Sequence, residues 1–334
     1  MNQSSSFPPA GSPYRGPMTL GQVLDRTFRL VRANLRLFAG IGIVPAVVSL
    51  LFVAAIETAM FLPVFSHFPK PPTPEDMAHL FNPAIIIPLI LITTVINGVV
   101  LAIYLAAATY AATQADRGLA VSISEAWQQA RSRAGRAIWL LFLIYVIAFL
   151  PAIVIELLCF GGFAMLTLGH SNPNPAVYFL LPLGMLLFFA AIVYGILIAL
   201  RFSLAFPACV VEGLPARAAL KRSGHLSRGA KGRVFVVFLV IYAACYAFIL
   251  LLFAVLGLLS LVCFLAGMAL GIHLDSPLGY AAIAFLGICA ALGFLLYIAL
   301  SWAGFSTALA VIYHDQRLRK EGPPLAPPQV GALA

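Results

Sequence analysis

Three charged side chains stand inside long apolar stretches of this chain: Glu57, Glu156 and Arg201. An ionisable group at membrane depth is costly, so each is a functional candidate by default. Glu57 and Glu156 follow Arg36 and Arg136 by about 20 residues. They are therefore expected at matching depths near the far surface, either lining a polar cavity together or reaching water separately. The corresponding positions later in the chain are Phe253 and Ala254, which argues against a symmetric three-carboxylate site. Arg201 precedes Glu212 by about ten residues, roughly 15 Å of helix. That is a long way for its side chain to reach water. Arg201 is expected to face the bundle interior or a polar cleft, where it would pair with a carboxylate or bind a lipid phosphate.

Other reactive residue types form no known catalytic pattern. His67, His79, His170 and His273 fall on or near one side of the expected membrane, but without HxxH or HxxxH spacing. No Walker A loop, HExxH helix or nucleophile elbow occurs. No metal and no cofactor is expected. The cysteines at 159, 209, 245, 263 and 289 lie in apolar runs and read as small buried hydrophobes, not a disulfide framework.

The elements that must position these groups follow from composition. Of 334 residues, 62% are hydrophobic and 9% charged, against about 25% charged in a typical soluble domain. Too few polar groups exist to cover a water-facing surface, so the chain is expected to be an all-α integral membrane protein. Its net charge of +9 lies in short segments between apolar runs. That placement orients spans in a membrane and excludes nucleic acid as the natural partner. The first 17 residues are rich in Pro, Ser and Gly and lack an apolar core, so a disordered tail over 1–17 is expected, not a cleaved signal.

Six apolar segments exceed the roughly 20 residues a spanning helix needs: Leu37–Phe65, Ala84–Thr113, Ala137–Leu168, Val177–Val211, Val234–Gly271 and Tyr280–Tyr313. Val234–Gly271 is long enough to hold two spans, but a seventh span would put Arg317, Arg319 and Lys320 outside. One long helix is expected, with Gly257, Gly267 and Gly271 as candidate breaks. Gly267 and Gly271 also have the spacing of a close helix contact. Of the 20 Lys and Arg, 18 lie in the N-terminal segment, 114–136, 212–233 and the C-terminal tail. Those segments are expected on the cytoplasmic side of the cell membrane, both termini included. The membrane domain covers 18–316, and 317–334 forms a short cytoplasmic tail.

The basic segments begin as helices. Thr19 and Gln22 have capping-box spacing, as do Ser122 and Glu125, and Pro215 suits a first helical turn. In Thr19–Arg36 a 100° period puts Leu20, Val23, Leu24, Phe28, Val31 and Leu35 on one face. Gln22, Asp25, Arg26, Arg29, Arg32 and Arg36 fall opposite. This reads as an interfacial helix with its arginines toward anionic headgroups. The headgroup contacts expected on this basis are Arg26, Arg29, Arg32, Arg36, Arg131, Arg133, Arg136, Lys221, Arg222, Arg228, Lys231 and Arg233.

The unit repeats. The fourth apolar segment ends FSLAFPACVVE and the sixth FSTALAVIYHD, aligning Phe202 with Phe305, Ser203 with Ser306 and Glu212 with Asp315. The second ends at Asp116, and Gly118-Leu119 and Gly213-Leu214 lead onward. Three units, about 18–117, 118–213 and 214–316, would each be a helical hairpin introduced by a basic interfacial helix. Parallel repeats of this kind differ from the inverted repeats of many transporters.

The stretches LGQVLDRTFRLVRANLRLFAGIGIVP, RFSLAFPACVVEGLPARAALKRSGHLSRG and VIYHDQRLRKEG resemble the membrane domain of bacterial glycerophosphoryl diester phosphodiesterases, over about residues 18–322. In two-part members of that family a separate soluble barrel carries the hydrolysis, and no segment here can supply one. The resemblance therefore implies a membrane-domain protein without catalytic residues. The expected function is a non-enzymatic, lipid-associated or partner-recruiting module, with a protein partner conceivable at the cytoplasmic face. The alternative is transport of a small solute or lipid through the bundle, using Glu57, Glu156 and Arg201.

Overall fold

The computed structural model describes residues 16–65, 83–167, 177–271 and 276–322. Every regular element among them is a helix. The first, α1 (Leu20–Ala33), starts where expected: Thr19 Oγ1 accepts from the Gln22 N–H at 3.3 Å and the Gln22 side chain accepts from the Thr19 N–H at 2.7 Å. Asn34 ends it and turns the chain directly into α2 (Leu35–Phe65). After α3 (Pro83–Asp116) comes α4 (Ile123–Ser132), where Ser122 caps the Glu125 N–H at 3.1 Å. Arg133 turns α4 into α5 (Ala134–Thr167).

Then follow α6 (Val177–Phe202), α7 (Ala205–Val211), α8 (Ala216–Leu226), α9 (Lys231–Ala269) and α10 (Pro277–Glu321). Pro215 is the N-cap of α8, one position before the first turn expected for it. Gly118 (φ 78°) and Gly213 (φ 67°) both take the left-handed conformation just before the short helices α4 and α8. The two related segments thus use glycine for the same reversal.

Among the described residues, six helical stretches are long and apolar enough to cross a membrane: α2, α3, α5, α6 with α7, α9 and α10. One expected helix divides, and another is as long as expected. The fourth apolar segment is not one helix but breaks between Phe202 and Ala205. The fifth is a single 39-residue helix that passes through Gly257 and Gly267 unbroken. Gly271 (φ 65°) lies just beyond it, with nothing within 4 Å of where a Cβ would stand.

Consecutive long helices pack on each other, α2 with α3, α5 with α6 and α9 with α10, and α10 also packs on α2 and α3. Small residues allow that approach. Ala102, Ala106–Ala108, Ala111, Ala112 and Ala115 of α3 are buried, as are Ala299, Ala303, Ala308 and Ala310 of α10. Tyr104 leans on Trp302 with ring centroids 4.9 Å apart.

Burial is confined to one end. Nearly all core residues lie in 18–46, 102–148, 200–241 and 299–316, the halves adjoining the short helices. In the far halves, among the described residues, only Gly184, Ala191 and Gly279 are buried. The rest is exposed Leu, Val, Ile and Phe, a surface suited to hydrocarbon and not to water. The helices are bound into one bundle at the end where α1, α4 and α8 gather.

Candidate functional site

At that end each acid expected to close an apolar helix takes an arginine. Arg26 of α1 reaches Asp116 at the end of α3. Its Nε pairs with the carboxylate and its Nη2 donates to the Asp116 carbonyl at 3.0 Å. Both side chains are about 90% buried. Arg26 is therefore not a headgroup contact. It lies at the margin of the polar arc of α1, one turn from Leu30, and Val23, Arg26, Thr27 and Leu30 are the residues this helix buries. Of the expected apolar face of this helix Phe28 stays exposed, while Leu20, Leu24 and Val31 pack against the core beside Val23 and Leu30.

Glu212, at the end of α7, takes Arg222 of α8. Arg222 Nη2 donates to Oε1 at 2.9 Å, and Nε lies 3.1 Å from Oε2. The same guanidinium pairs with Glu321 at the end of α10, and Tyr313 donates its hydroxyl to Glu212. Held first by Glu321 and then by Glu212, the Arg222 guanidinium has its pKa raised further above the ordinary arginine value. Arg222 is a clamp between three helices and not a free headgroup ligand.

Asp315, fully buried on α10, is the most connected acid. It accepts from the Met18 N–H at 2.7 Å, Arg319 Nε at 2.9 Å and Arg233 Nη1 at 3.1 Å. Arg319 and Arg233 also donate to the Met18 carbonyl, so two arginines and one carboxylate hold both polar groups of one residue. Arg233 is consumed here and is likewise withdrawn from the headgroup set. Arg133, half-buried, donates to the Val210 carbonyl, and Arg136, exposed, to the Gly213 carbonyl at 3.0 Å.

The remaining expected contacts are open. Arg32, Arg36, Arg131, Lys221, Arg228 and Lys231 are exposed, and Arg29 is half-exposed beside Asp25 at 2.6 Å.

Arg201 does not face the bundle interior. It is exposed in the last turn of α6, its guanidinium 5.5 Å from the Phe202 ring centroid. The break explains this. Ser223 of α8 accepts from the Leu204 N–H at 3.2 Å and donates to the Arg201 carbonyl at 2.9 Å, and Ser227 donates to the same carbonyl at 3.1 Å. Two serines thus satisfy backbone groups that the broken helix leaves open. Arg201 stands in the last turn of α6, one residue before the break and beside α8.

Glu156 is half-buried on α5, twenty residues from Arg136, or about 30 Å along the helix. It stands far from Arg201, which α8 holds at the other end. Among the described residues it is the one acid without an ion-pair or hydrogen-bond partner. The side chain of Glu57 lies outside the described residues, as do His67, His79, His170 and His273. No group of three metal-ligating side chains occurs among the described residues.

Sequence reasoning marked Asp116, Glu212 and Asp315 as repeat positions but missed them as anchors. It missed Ser223 and Ser227 altogether. The acid at each helix end was the available signal; the arginine it takes depends on packing. Comparison with family models, with curated proteins and with solved structures finds no match for this chain.

Proposed function

We propose that this chain is a non-enzymatic, six-span protein of the cytoplasmic membrane whose basic end binds anionic lipid headgroups. It is built as three hairpins, each introduced by an interfacial helix, with both termini cytoplasmic. Its membrane domain resembles those of the glycerophosphoryl diester phosphodiesterase type. A protein partner would meet it at the same cytoplasmic face.

The observation that carries this reading is the charge left over. The acids at the packed end are all engaged: Asp116 by Arg26, Glu212 and Glu321 by Arg222, Asp315 by Arg233 and Arg319. Exposed cations remain beside an exposed apolar surface, namely Arg32, Arg36, Arg131, Lys221, Arg228 and Lys231. Cations bordering hydrocarbon-facing side chains are the arrangement that anionic headgroups complement, at about 1 kcal/mol per Lys or Arg near the surface. The same acids, held by arginines, are not free for acid–base chemistry, which supports a non-enzymatic role.

The test is native mass spectrometry of the full chain released from mild detergent, with phosphatidylglycerol and phosphatidylcholine compared. Preferential retention of phosphatidylglycerol, weakened in an Arg32→Gln/Arg36→Gln/Arg131→Gln protein, is expected. Equal retention of both lipids would refute the reading. Cysteine labelling checks the orientation: Lys320→Cys should label only from inside and Pro72→Cys only from outside.

A further inference from the structure

Where α6 ends against α8 the molecule carries a patch of positive charge that no acid offsets. Arg217, Lys221 and Gly224 are spaced four and three residues apart, so they share one face of α8. Arg228 follows in the turn beyond the helix. Gly224 is the gap in this row, and Arg201 fills it from α6: a Cβ on Gly224 would stand 3.6 Å from Arg201 Nε. Arg201, Arg217, Lys221 and Arg228 are all exposed, and none has an ion pair among the described residues. The nearby acids Glu212 and Glu321 are held by Arg222, which points off the other side of α8.

An apolar track runs away from this patch. Counting back from Arg201 in steps of four along α6 gives Leu197, Val193 and Phe189, which therefore lie along one slanted ridge of the helix surface, turning by about 120° over its length. All three are exposed, at 49%, 57% and 59%. The ridge begins at a guanidinium and continues through hydrocarbon side chains for about 18 Å, the length of twelve helical residues. That is the charge and polarity profile of one phospholipid molecule.

We infer that Arg201, Arg217 and Lys221 form a seat for the phosphate of an anionic phospholipid, with its acyl chain along Leu197, Val193 and Phe189. The inference rests on the reading that this end of the protein meets anionic lipid, and it names one site for it. Arg201 is the pivot, because it alone lies on both the basic row and the apolar track. Ser223 and Ser227 fix its backbone carbonyl, so the side chain springs from a set point at the junction of the two.

The experiment measures phosphatidylglycerol binding to the full chain in mild detergent by native mass spectrometry. An Arg201→Gln/Arg217→Gln/Lys221→Gln protein is compared with the Arg32→Gln/Arg36→Gln/Arg131→Gln protein. The tightest-held phosphatidylglycerol should weaken about tenfold or more in the first protein, with phosphatidylcholine binding unchanged. Glycerol 3-phosphate at equal concentration should not displace it. Unchanged phosphatidylglycerol affinity in a protein that still prefers it to phosphatidylcholine would overturn this site and leave the broader reading standing. Displacement by glycerol 3-phosphate would also overturn it, because the acyl track would then contribute nothing. Loss of all lipid preference in the wild type refutes the broader reading instead. Gly224→Glu keeps every cation and places a carboxylate beside Arg201. If the triple variant fails to fold, this single variant decides by the same loss.

Discussion

Ser223 and Arg201 are joined by a hydrogen bond of 2.9 Å, from the serine hydroxyl to the arginine's carbonyl, across the break between α6 and α7. The same hydroxyl accepts from the Leu204 N–H on the far side of the break. One side chain therefore closes both ends of an interrupted backbone, and Ser227 adds a second bond to the carbonyl. The break ends α6 at Phe202, separates α7 from it and seats α8 against both. Ser223→Ala should destabilise the protein by about 1–3 kcal/mol, the cost of leaving buried backbone groups unpaired. A Ser223→Ala/Ser227→Ala protein should lose more than the single variant, because Ser227 still serves the carbonyl in the latter. Thermal unfolding in detergent measures both.

The Arg26–Asp116 pair behaves as a buried ion pair, and removing either partner leaves the other charged and enclosed. Arg26→Gln or Asp116→Asn should each cost about 3–5 kcal/mol. An Arg26→Met/Asp116→Leu protein should recover much of that loss, since an apolar replacement leaves no unpaired charge. Arg32→Gln, on the open face of the same helix, should change the unfolding temperature little. A double-mutant cycle from melting curves separates these outcomes.

Asp315 ties the segment before α1 to the ends of α9 and α10 through the Met18 backbone. Asp315→Asn would leave Arg233 half-buried opposite a neutral amide and weaken the hold on Met18. Hydrogen exchange at the Met18 and Thr19 amides should accelerate by tenfold or more, which corresponds to about 1.4 kcal/mol of local opening. Amides at Ile144 and Ile147, in the middle of α5, should keep their rates.

Gly42 allows α2 to approach α10. A Cβ there would stand 3.1 Å from both the Cα and the Cβ of Ala299. Ala299 is a backbone neighbour that cannot swing away, so Gly42→Leu should force the helices apart at a cost of about 1–3 kcal/mol. Gly98→Leu, with nothing within 4 Å, is the matched control and should be neutral. The readout is the melting temperature of each purified protein.

Much of this architecture can be read from the chain. The six apolar helices follow from runs that no water-soluble surface could absorb, and the start of α1 follows from Thr19 and Gln22. Gly118 and Gly213, noticed only as a shared dipeptide position, prove to share a left-handed conformation. Partner choice was not legible. Arg26 and Arg32 both lie on the polar side of one helical wheel, and only the position of α3 decides that Arg26 is enclosed. The break after Phe202 was hidden for a different reason. Phe202-Ser203-Leu204 is nearly as apolar as its surroundings; the local sign is Pro207, which cannot donate to the Ser203 carbonyl, and the hydroxyls of Ser223 and Ser227 that satisfy the opened backbone lie twenty residues later.

The central claim is that the packed, basic end of this protein prefers anionic lipid. Trp139, three residues beyond Arg136 and 48% exposed on α5, reports on the lipid nearest that end. The most direct measurement is quenching of tryptophan fluorescence in bilayers by brominated phosphatidylglycerol against brominated phosphatidylcholine. Stronger quenching by the anionic lipid is expected, with the difference shrinking in high salt and in the Arg32→Gln/Arg36→Gln/Arg131→Gln protein. Superimposable quenching curves for the two lipids at low salt would contradict it.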